Sequence, residues 1–424
     1  MTRHKSAAWN VTTGIGGRGR LDWRIKPACG VAGVTQAEGT SDTPRWSGFH
    51  RLGRTARLQR VREHGRMTEQ EMDALTRLSA LPHDLAEAFI ENVVGTFPLP
   101  VGLAVNFVVD GTPVAVPMAV EESSVVAAAS HGAKLAAAGG GFRTKVAAPV
   151  SIGQVELRNV ARPALAKRVI AKNTAGWIRG LNKTIPRMVA RGGGARAIEV
   201  HAAGKGRLVI HLLVDTRDAM GANAVNTLCE RLGPLAAQAT GATLGLCILT
   251  NLADRRLATA SCIVPAKALG GAAAVRAIVA ANDFAVADPY RAATHNKGIM
   301  NGIDPVLVAT GNDWRAVEAG AHAYAARHGQ YGPLTTYKAT AKGLHASLTM
   351  PMAVGTVGGV TRLHPTAAAV LKVMGNPDAR RLASIAVSVG LAQNLAALKA
   401  LAGEGIQKGH MALHKRNLDL VRAK

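Results

Sequence analysis

The chain of 424 residues has few aromatic residues, few cysteines and no long apolar run. Phe, Trp and Tyr together make up 4% of it, which argues against base stacking as its main activity, because proteins that bind single-stranded nucleic acid rely on aromatic platforms. Its four cysteines form no Cys-x-x-Cys pair, a pattern typical of reduced thiols in a cytosolic protein. Since neither a stretch of about 18 apolar residues nor a secretory signal is evident, we expect a cytoplasmic protein without a membrane span.

Acidic residues are also scarce. The chain has 27 Asp and Glu against 51 Lys and Arg, so its formal net charge is +24. Such a surplus indicates an anionic partner, which is a nucleic acid, an anionic surface or an anionic small ligand. A basic nucleic-acid-binding protein is therefore one alternative, whereas a hydrophobic fraction of 48% excludes a wholly disordered chain.

Residues 1–47 differ from the rest of the chain because they show no sustained apolar periodicity. We interpret them as a flexible basic extension. They contain a literal Gly-x-Gly-x-x-Gly, from Gly14 to Gly19. That motif needs a strand before it and a helix after it to hold a pyrophosphate, and the sequence indicates neither, so we assign no dinucleotide site there.

Residues 150–250 form a distinct block. The pattern predicts strand 152–160, helix 163–181, a turn at 192–194, strands 196–203 and 207–215, helix 222–240 and strand 243–250. This order fits a small α+β module with an antiparallel sheet.

The flanking regions are richer in alanine and helix signals. Thr68 is a predicted N-cap, and either Ser123 or Ser124 is a predicted cap for an Ala-rich helix. From residue 251 onward the composition predicts Ala-rich helices, with strands near 346–352 and final helices over 380–402 and 407–420.

The strongest signals are five long strings of polar residues and glycines. They are Glu91-Asn92-Val93-Val94-Gly95, Pro117-Met118-Ala119-Val120-Glu121-Glu122, Asp218-Ala219-Met220-Gly221-Ala222-Asn223, the run from Asp288 to Asp313, and Gly409-His410-Met411-Ala412-Leu413-His414. Together, and in this order, they resemble the soluble class II 3-hydroxy-3-methylglutaryl-coenzyme A (HMG-CoA) reductases. The resemblance begins near residue 48.

The resemblance implies an α+β fold with three parts after the extension. A large Ala-rich domain of helices and strands, residues 48–148 and 251–406, would bind HMG-CoA and CoA. A small antiparallel-sheet domain of non-Rossmann type, residues 149–250, would be inserted into it and bind the cofactor. Residues 407–424 would begin a C-terminal flap that is shorter than is usual in the family, so a catalytically weak CoA-binding relative is a second alternative.

The resemblance also implies the chemistry, which interconverts mevalonate plus CoA and HMG-CoA by two successive hydride transfers. Lys297 matches the lysine that stabilises negative charge on the substrate oxygen, and Glu122 matches the glutamate that moves protons. Asp313 matches a second carboxylate that would join these two groups in one network. His410 matches the histidine that protonates the departing CoA thiolate, for which an imidazole is suited.

Further residues are implied to bind the ligands. Arg291 matches the residue that holds the substrate carboxylate, while Ser124 and Asn301 match other substrate contacts. The residues implied to contact the cofactor are Asp218, Ala219, Met220, Gly221, Ala222, Asn223, Asn226 and Asn251. In this interpretation the turn at 218–223 and the helix after it offer backbone N–H groups to the phosphates.

The resemblance favours NAD(H) as the cofactor, with NADP(H) as the alternative. A carboxylate commonly binds the ribose hydroxyl of NAD, whereas the additional phosphate of NADP is commonly bound by Arg or Lys. Residues 177–198 contain no Asp or Glu and hold five basic residues, which favours acceptance of the phosphorylated cofactor. We expect coenzyme A as co-substrate, no metal, and a homo-oligomer built from dimers. Because residues 157–196 carry ten Lys and Arg and no Asp or Glu, we attribute much of the positive charge to nucleotide binding and expect no nucleic-acid partner.

Overall fold

The computed structural model describes residues 46–77, 81–403 and 405. A short 3-10 helix spans Phe49–Arg51, and the α-helices are α1 Arg54–Gly65, α2 Glu69–Thr76, α3 His83–Phe89, α4 Val125–Ala137, α5 Pro163–Lys183, α6 Pro186–Ala190, α7 Ala222–Thr240, α8 Ala266–Leu269, α9 Ala272–Ala287, α10 Pro289–Ala309, α11 Trp314–Ala325, α12 Gly359–Leu363, α13 Pro365–Val373 and α14 Ala379–Leu401. The strands are β1 Val101–Val109, β2 Thr112–Ala119, β3 Arg143–Val146, β4 Val150–Arg158, β5 Gly194–Ala202, β6 Leu208–Asp215, β7 Thr243–Leu249, β8 Leu257–Val264, β9 Thr335–Thr340 and β10 Gly343–Pro351. The predicted α+β class is confirmed.

The larger hydrophobic core lies around α10 and α14. It joins these helices to α4, to the β1–β2 hairpin and to a four-stranded antiparallel sheet with the order β3-β8-β10-β9. Within the described residues one helix, α14, is long and apolar enough to span a bilayer, but 89% of its most apolar window is buried inside the protein. That degree of burial is typical of the core helix of a globular protein.

The β4–β7 segment packs around a second core of its own. Its sheet has the order β5-β6-β4-β7 with antiparallel pairing throughout. Helices α5 and α7 cover one face of this sheet. The strands and the two long helices occur in the order that the sequence predicts, and α6 is an additional short helix between α5 and β5.

Several local predictions need correction. Residues 257–264 form strand β8 instead of helix, and Ala258, Ala260 and Cys262 point into the core at every second position. Because alanine is a strong helix former, the alanines of this segment favour a helix in a prediction from composition and obscure the alternation of buried and exposed positions that is typical of a strand. Ser124 does occupy the N-cap position of α4, but it has a left-handed backbone (φ 74°) and its side chain makes no capping hydrogen bond.

The N-terminal boundary also differs in detail. Trp46, which the sequence places in the extension, is buried and contacts Phe49 and His64 through their ring edges. Thr68 forms the predicted cap, as a reciprocal capping box with Glu71. Residues 1–45 and the predicted flap at 407–424, with His410, lie outside the described residues.

One carboxyl group in α10 is expected to make stability depend on pH. Burial, followed by the hydrogen bond and the charge of Glu318, raises the pKa of Asp304 to about 8. The folded state therefore holds a proton that the unfolded state releases near pH 4. The stabilisation from this proton is present at low pH and is lost as the pH rises towards 8.

We predict that Asp304→Asn makes the midpoint of denaturation less sensitive to pH between 5 and 8. In the wild-type protein, Asp304 changes the free energy of unfolding by at most about 1.4 kcal/mol per pH unit. This free energy should fall as the pH rises, because the folded state binds the extra proton. Denaturant unfolding at pH 6 and pH 8 measures the difference. Asp283→Asn, at an exposed carboxylate of α9, is the control, and an equal pH response in the two variants would contradict the prediction.

Candidate active site

Glu122 and Lys297 form an ion pair between two elements of the larger core. Glu122 lies in the turn between β2 and α4, and Lys297 lies on α10. The Nζ atom of Lys297 is 3.7 Å from Oε2 of Glu122, and the two side chains are 63% and 42% exposed. An exposed ion pair contributes little to stability. The pair matters for chemistry instead, because it places an ammonium and a carboxylate side by side where a ligand from solvent can reach both.

A cavity of about 1270 Å³ adjoins this pair. The N-terminal helices, the β1–β2 hairpin and α4 line it, and its residues include Glu122 and Ser124. Three cations, Arg54, Arg57 and Lys134, also line it. A space of this size with several cations is suited to a large anionic ligand.

Two of the three predicted substrate residues lie close to the pair. Ser124 is two positions after Glu122, and Asn301 is one helical turn beyond Lys297, on the same face of α10. Arg291 is six residues before Lys297, which places it about 120° away around the helix axis. Burial lowers the pKa of Arg291, and its side chain is half-buried. The described chain therefore brings Ser124 and Asn301 to the ion pair and leaves Arg291 on another face.

Asp313 lies beyond the C-terminal end of α10, whereas Lys297 lies near the middle of that helix. The helix rises about 18 Å over the twelve steps from Lys297 to Ala309, and Asp313 follows after a turn. There it caps α11 by accepting a hydrogen bond from the backbone N–H of Ala316 at 3.1 Å, and it lies 3.8 Å from the guanidinium of Arg315. A single chain therefore does not join Asp313 to Lys297 and Glu122.

The loop at 216–221, which carries half of the predicted cofactor residues, precedes helix α7. Gly221 has a left-handed backbone (φ 96°), and a Cβ atom there would collide with the side chain of Thr216. Only glycine fits this turn without strain. The N–H groups of the first helical turn, which begins at Ala222 and includes Asn223, lack partners inside the helix. The loop thus ends in a helix N-terminus of the kind that binds phosphates.

Two predicted cofactor residues already make structural hydrogen bonds. The Oδ1 atom of Asp218 accepts from the backbone N–H of Ala379, at the start of α14, at 3.1 Å. The Oδ1 atom of Asn226 accepts from the backbone N–H of Leu249 at 2.9 Å and so fastens α7 to β7. Asn251 lies two residues after Leu249, and its backbone carbonyl approaches Gly320 of α11. These contacts position the loop, and they are compatible with further contacts to a ligand.

Arg256 is the residue at this site that the sequence does not predict. It is 3% exposed and lies beneath the loop. Its guanidinium donates to the Thr216 hydroxyl at 3.0 Å and to the carbonyls of Ala219 and Met220 at 3.3 and 3.2 Å, and it also donates to the Val354 carbonyl. Burial lowers its pKa to about 10, and the nearby carboxylates oppose that shift, so it stays charged at neutral pH. In the sequence it is one arginine among many in a short polar segment.

Comparisons with known proteins agree on one family. A family model for hydroxymethylglutaryl-coenzyme A reductase matches residues 53–415. The chain is 47% identical over 382 residues to 3-hydroxy-3-methylglutaryl-coenzyme A reductase of Archaeoglobus fulgidus, covering 89% of this chain and 87% of the relative. It is 34% identical to the probable reductase of Borreliella burgdorferi, covering 79% of this chain and 78% of that relative.

A solved structure is similar as well. The class II reductase from Streptococcus pneumoniae, solved bound to NADPH in open conformations, aligns with a TM-score of 0.81 and 43% sequence identity. The alignment covers 84% of this chain and 99% of the other.

We predict that Arg256→Met destabilises the protein by about 3–5 kcal/mol, because it leaves several buried carbonyls without donors. Arg256→Lys should recover only part of the loss, since an ammonium has three donors and a guanidinium has five. Chemical denaturation measures both variants. Arg276→Met, at an exposed position of α9, is the control, and a loss no larger than that of the control would contradict the prediction.

Proposed function

The chain belongs to the hydroxymethylglutaryl-coenzyme A reductase family, in its class II, and on that premise we propose the residues that carry its oxidoreductase activity. The observation that supports the assignment is the contact between Lys297 and Glu122 at 3.7 Å. When hydride is added to a thioester or aldehyde carbonyl, negative charge develops on the oxygen. An ammonium that is already in place stabilises that charge without reorganisation, so we assign this role to Lys297.

Glu122 is proposed to deliver and remove the proton. In the reductive direction, the first hydride converts the thioester of HMG-CoA to a hemithioacetal oxyanion held by Lys297. This intermediate then loses CoA as a thiolate to give an aldehyde, and the second hydride, with one proton, gives the alcohol of mevalonate. Two molecules of the reduced nicotinamide cofactor, bound one after the other, would supply one hydride each. A carboxyl group within reach of the ammonium and of the substrate oxygen is placed for general acid–base catalysis.

The remaining substrate roles follow the family pattern. Ser124 and Asn301, beside the ion pair, are proposed to orient the substrate, and Arg291 to pair with its free carboxylate. His410, outside the described residues, is proposed to protonate the CoA thiolate. The cationic cavity next to Glu122 is the proposed location of coenzyme A.

We propose that a second copy of the chain completes the site, because about 18 Å of helix separates Lys297, near the middle of α10, from the end that precedes Asp313. Exposed apolar side chains next to the active-site turn support a dimer. Val94 and Phe97 are 104% and 90% exposed, and Ile90 and Val101 are also exposed. Exposed apolar side chains grouped in one segment are typical of a protein interface. We propose that a two-fold axis at this surface brings Asp313 of one copy to the Lys297 of the other.

We also propose that the loop at 216–221 and the first residues of α7, Ala222 and Asn223, bind the cofactor phosphates. The NAD(H) preference that the resemblance implies stays a prediction. Two observations favour acceptance of NADP(H): the exposed basic residues of α5 and α6, among them Arg179, Lys183 and Arg187, and the NADPH bound to the relative from Streptococcus pneumoniae. A cytoplasmic location likewise stays a proposal, supported by the free thiols of the described cysteines.

We predict that mixing two inactive variants restores activity if the site is shared between copies. Lys297→Ala should lower kcat by at least about 100-fold, and Asp313→Asn, which keeps an N-cap residue, should also be strongly impaired. Co-expression of the two variants, each with its own affinity tag, gives a mixture in which about half of the dimers are heterodimers. One of the two sites in each heterodimer has both native residues. The mixture should therefore show about a quarter of wild-type activity, measured by nicotinamide absorbance with mevalonate and CoA.

The matched control is Lys372→Ala, which removes a lysine from another ion pair, with Glu71 at 2.7 Å, and should keep wild-type kcat. Heterodimers with no more activity than the parent variants would show that Asp313 does not act across the interface. Full activity of Lys297→Ala alone would overturn the assigned role of the ammonium.

A second prediction concerns the cofactor. We expect kcat/KM for NADPH to be within about tenfold of that for NADH, because basic side chains favour the additional phosphate. Steady-state kinetics with HMG-CoA and each reduced cofactor measures the ratio. A preference for NADH of more than a hundredfold would contradict acceptance of NADP(H) and support the NAD(H) prediction.

A further inference from the structure

Three side chains that are able to bind a metal converge on the face of the β4–β7 sheet opposite α5 and α7. They are Glu199 and His201 on β5 and His211 on β6, and one ligand atom from each lies within 4.8 Å of the others. Glu199 and His211 are direct partners across the two strands. His201 is two residues from Glu199, so the pleat places both on the same face. The convergence therefore comes from the regular register of the hairpin.

We propose that Glu199, His201 and His211 form a binding site for a divalent transition metal, with Zn²⁺ as the ion that fits best. Two imidazoles and one carboxylate are ligands that Zn²⁺ accepts in a tetrahedral site with one position left for water. Imidazole suits Zn²⁺, Ni²⁺ and Cu²⁺, whereas Mg²⁺ and Ca²⁺ prefer oxygen ligands. None of the three residues belongs to the proposed catalytic or cofactor machinery.

The surroundings of His211 are suited to a ligand. Its Nε2 atom is 2.9 Å from the side-chain amide of Gln154 on β4, the partner strand on its other side. Turning the Gln154 amide by 180° places its Oε1 at this nitrogen, so that Nε2–H of His211 donates to it and the lone pair of Nδ1 is left for a metal. A histidine ligand usually has its other nitrogen held by a polar neighbour.

Arg255 is the competitor for this site. Its guanidinium lies 3.0 and 3.2 Å from the two carboxylate oxygens of Glu199, and both residues are partly exposed. An arginine at this distance neutralises the carboxylate and repels a cation. Metal binding therefore requires the flexible Arg255 side chain to turn away from Glu199, which costs little for an exposed ion pair.

The competition separates a metal site from a structural hydrogen-bond cluster. If the cluster serves only the sheet, removing Arg255 leaves the affinity for Zn²⁺ unchanged. If Glu199 is a ligand, Arg255→Ala frees it and tightens binding.

The experiment is titration of Zn²⁺ into chelator-treated full-length protein by calorimetry. We expect one ion bound per chain by the wild-type protein with a Kd in the micromolar range or lower. His201→Ala and His211→Ala should each raise that Kd by at least about tenfold, and Arg255→Ala should lower it about threefold or more. His328→Ala, at an exposed histidine elsewhere, is the matched control and should bind as the wild type does.

Several results would overturn the proposal. They are an absence of Zn²⁺ binding by the wild-type protein, a Kd that both histidine variants leave unchanged, and a Kd that Arg255→Ala does not lower. Since the chain also has cysteines, Co²⁺ serves as a spectroscopic probe. A thiolate-to-metal charge-transfer band would place the ion at a cysteine and also overturn the proposal, whereas a tetrahedral spectrum without that band supports it. Because the titration needs no substrate, its failure is distinct from a failure of the proposed reductase chemistry.

Discussion

The buried guanidinium of Arg256 is the interaction on which the arrangement of the proposed cofactor site depends. Removing a cation from water is costly unless hydrogen bonds replace its hydration. Here a hydroxyl and several carbonyls do so, and most of them belong to the loop at 216–221. Another acceptor, the Val354 carbonyl, belongs to the segment after β10. The same guanidinium thus joins the small sheet to the larger core, and the loop keeps one shape only while the two stay together. Asp218 reinforces that connection by bonding to the start of α14.

Helix α10 determines how the catalytic groups are distributed. Lys297 lies in its first half, and the Asp313 end lies beside the loop that Arg256 holds, because Asn312 accepts from the backbone of Gly355, which packs on Ala219 and Met220. In this proposal one helix carries the oxyanion-binding Lys297 near its middle, and the cofactor loop lies beside its C-terminal end. Hydride transfer requires the nicotinamide to lie a few ångströms from the substrate carbonyl. Because about 18 Å of helix separates Lys297 from the Asp313 end within one chain, we favour an assembly in which a second copy supplies Asp313.

Local signals in the sequence predict much of the fold. The capping pattern at Thr68 and the strand pattern of the small sheet both depend on neighbouring residues. The five motif strings likewise predict which side chains carry the chemistry. Contacts between distant residues are not encoded in this local way. Arg256 resembles a solvated arginine until the loop closes over it, and Glu199, His201 and His211 meet only through the register of β5 and β6. The position of Asp313 relative to Lys297 follows from the uninterrupted length of α10, which the motif alone does not show.

The positive charge of the chain is explained in part by the packing of α5. Its buried positions, including Ile170, Trp177 and Leu181, form one apolar stripe against the small sheet. The helical period then leaves the intervening basic residues on the opposite side, and Arg168, Lys172, Arg179 and Lys183 are exposed there. With no acid among them, their fields add instead of cancelling. Because the same unit carries the proposed phosphate-binding loop, this field would raise the local concentration of polyanionic dinucleotides and speed their encounter. In this proposal a small anionic ligand explains part of the charge that suggests nucleic acid, and the effect of that charge on cofactor capture should weaken as salt is added.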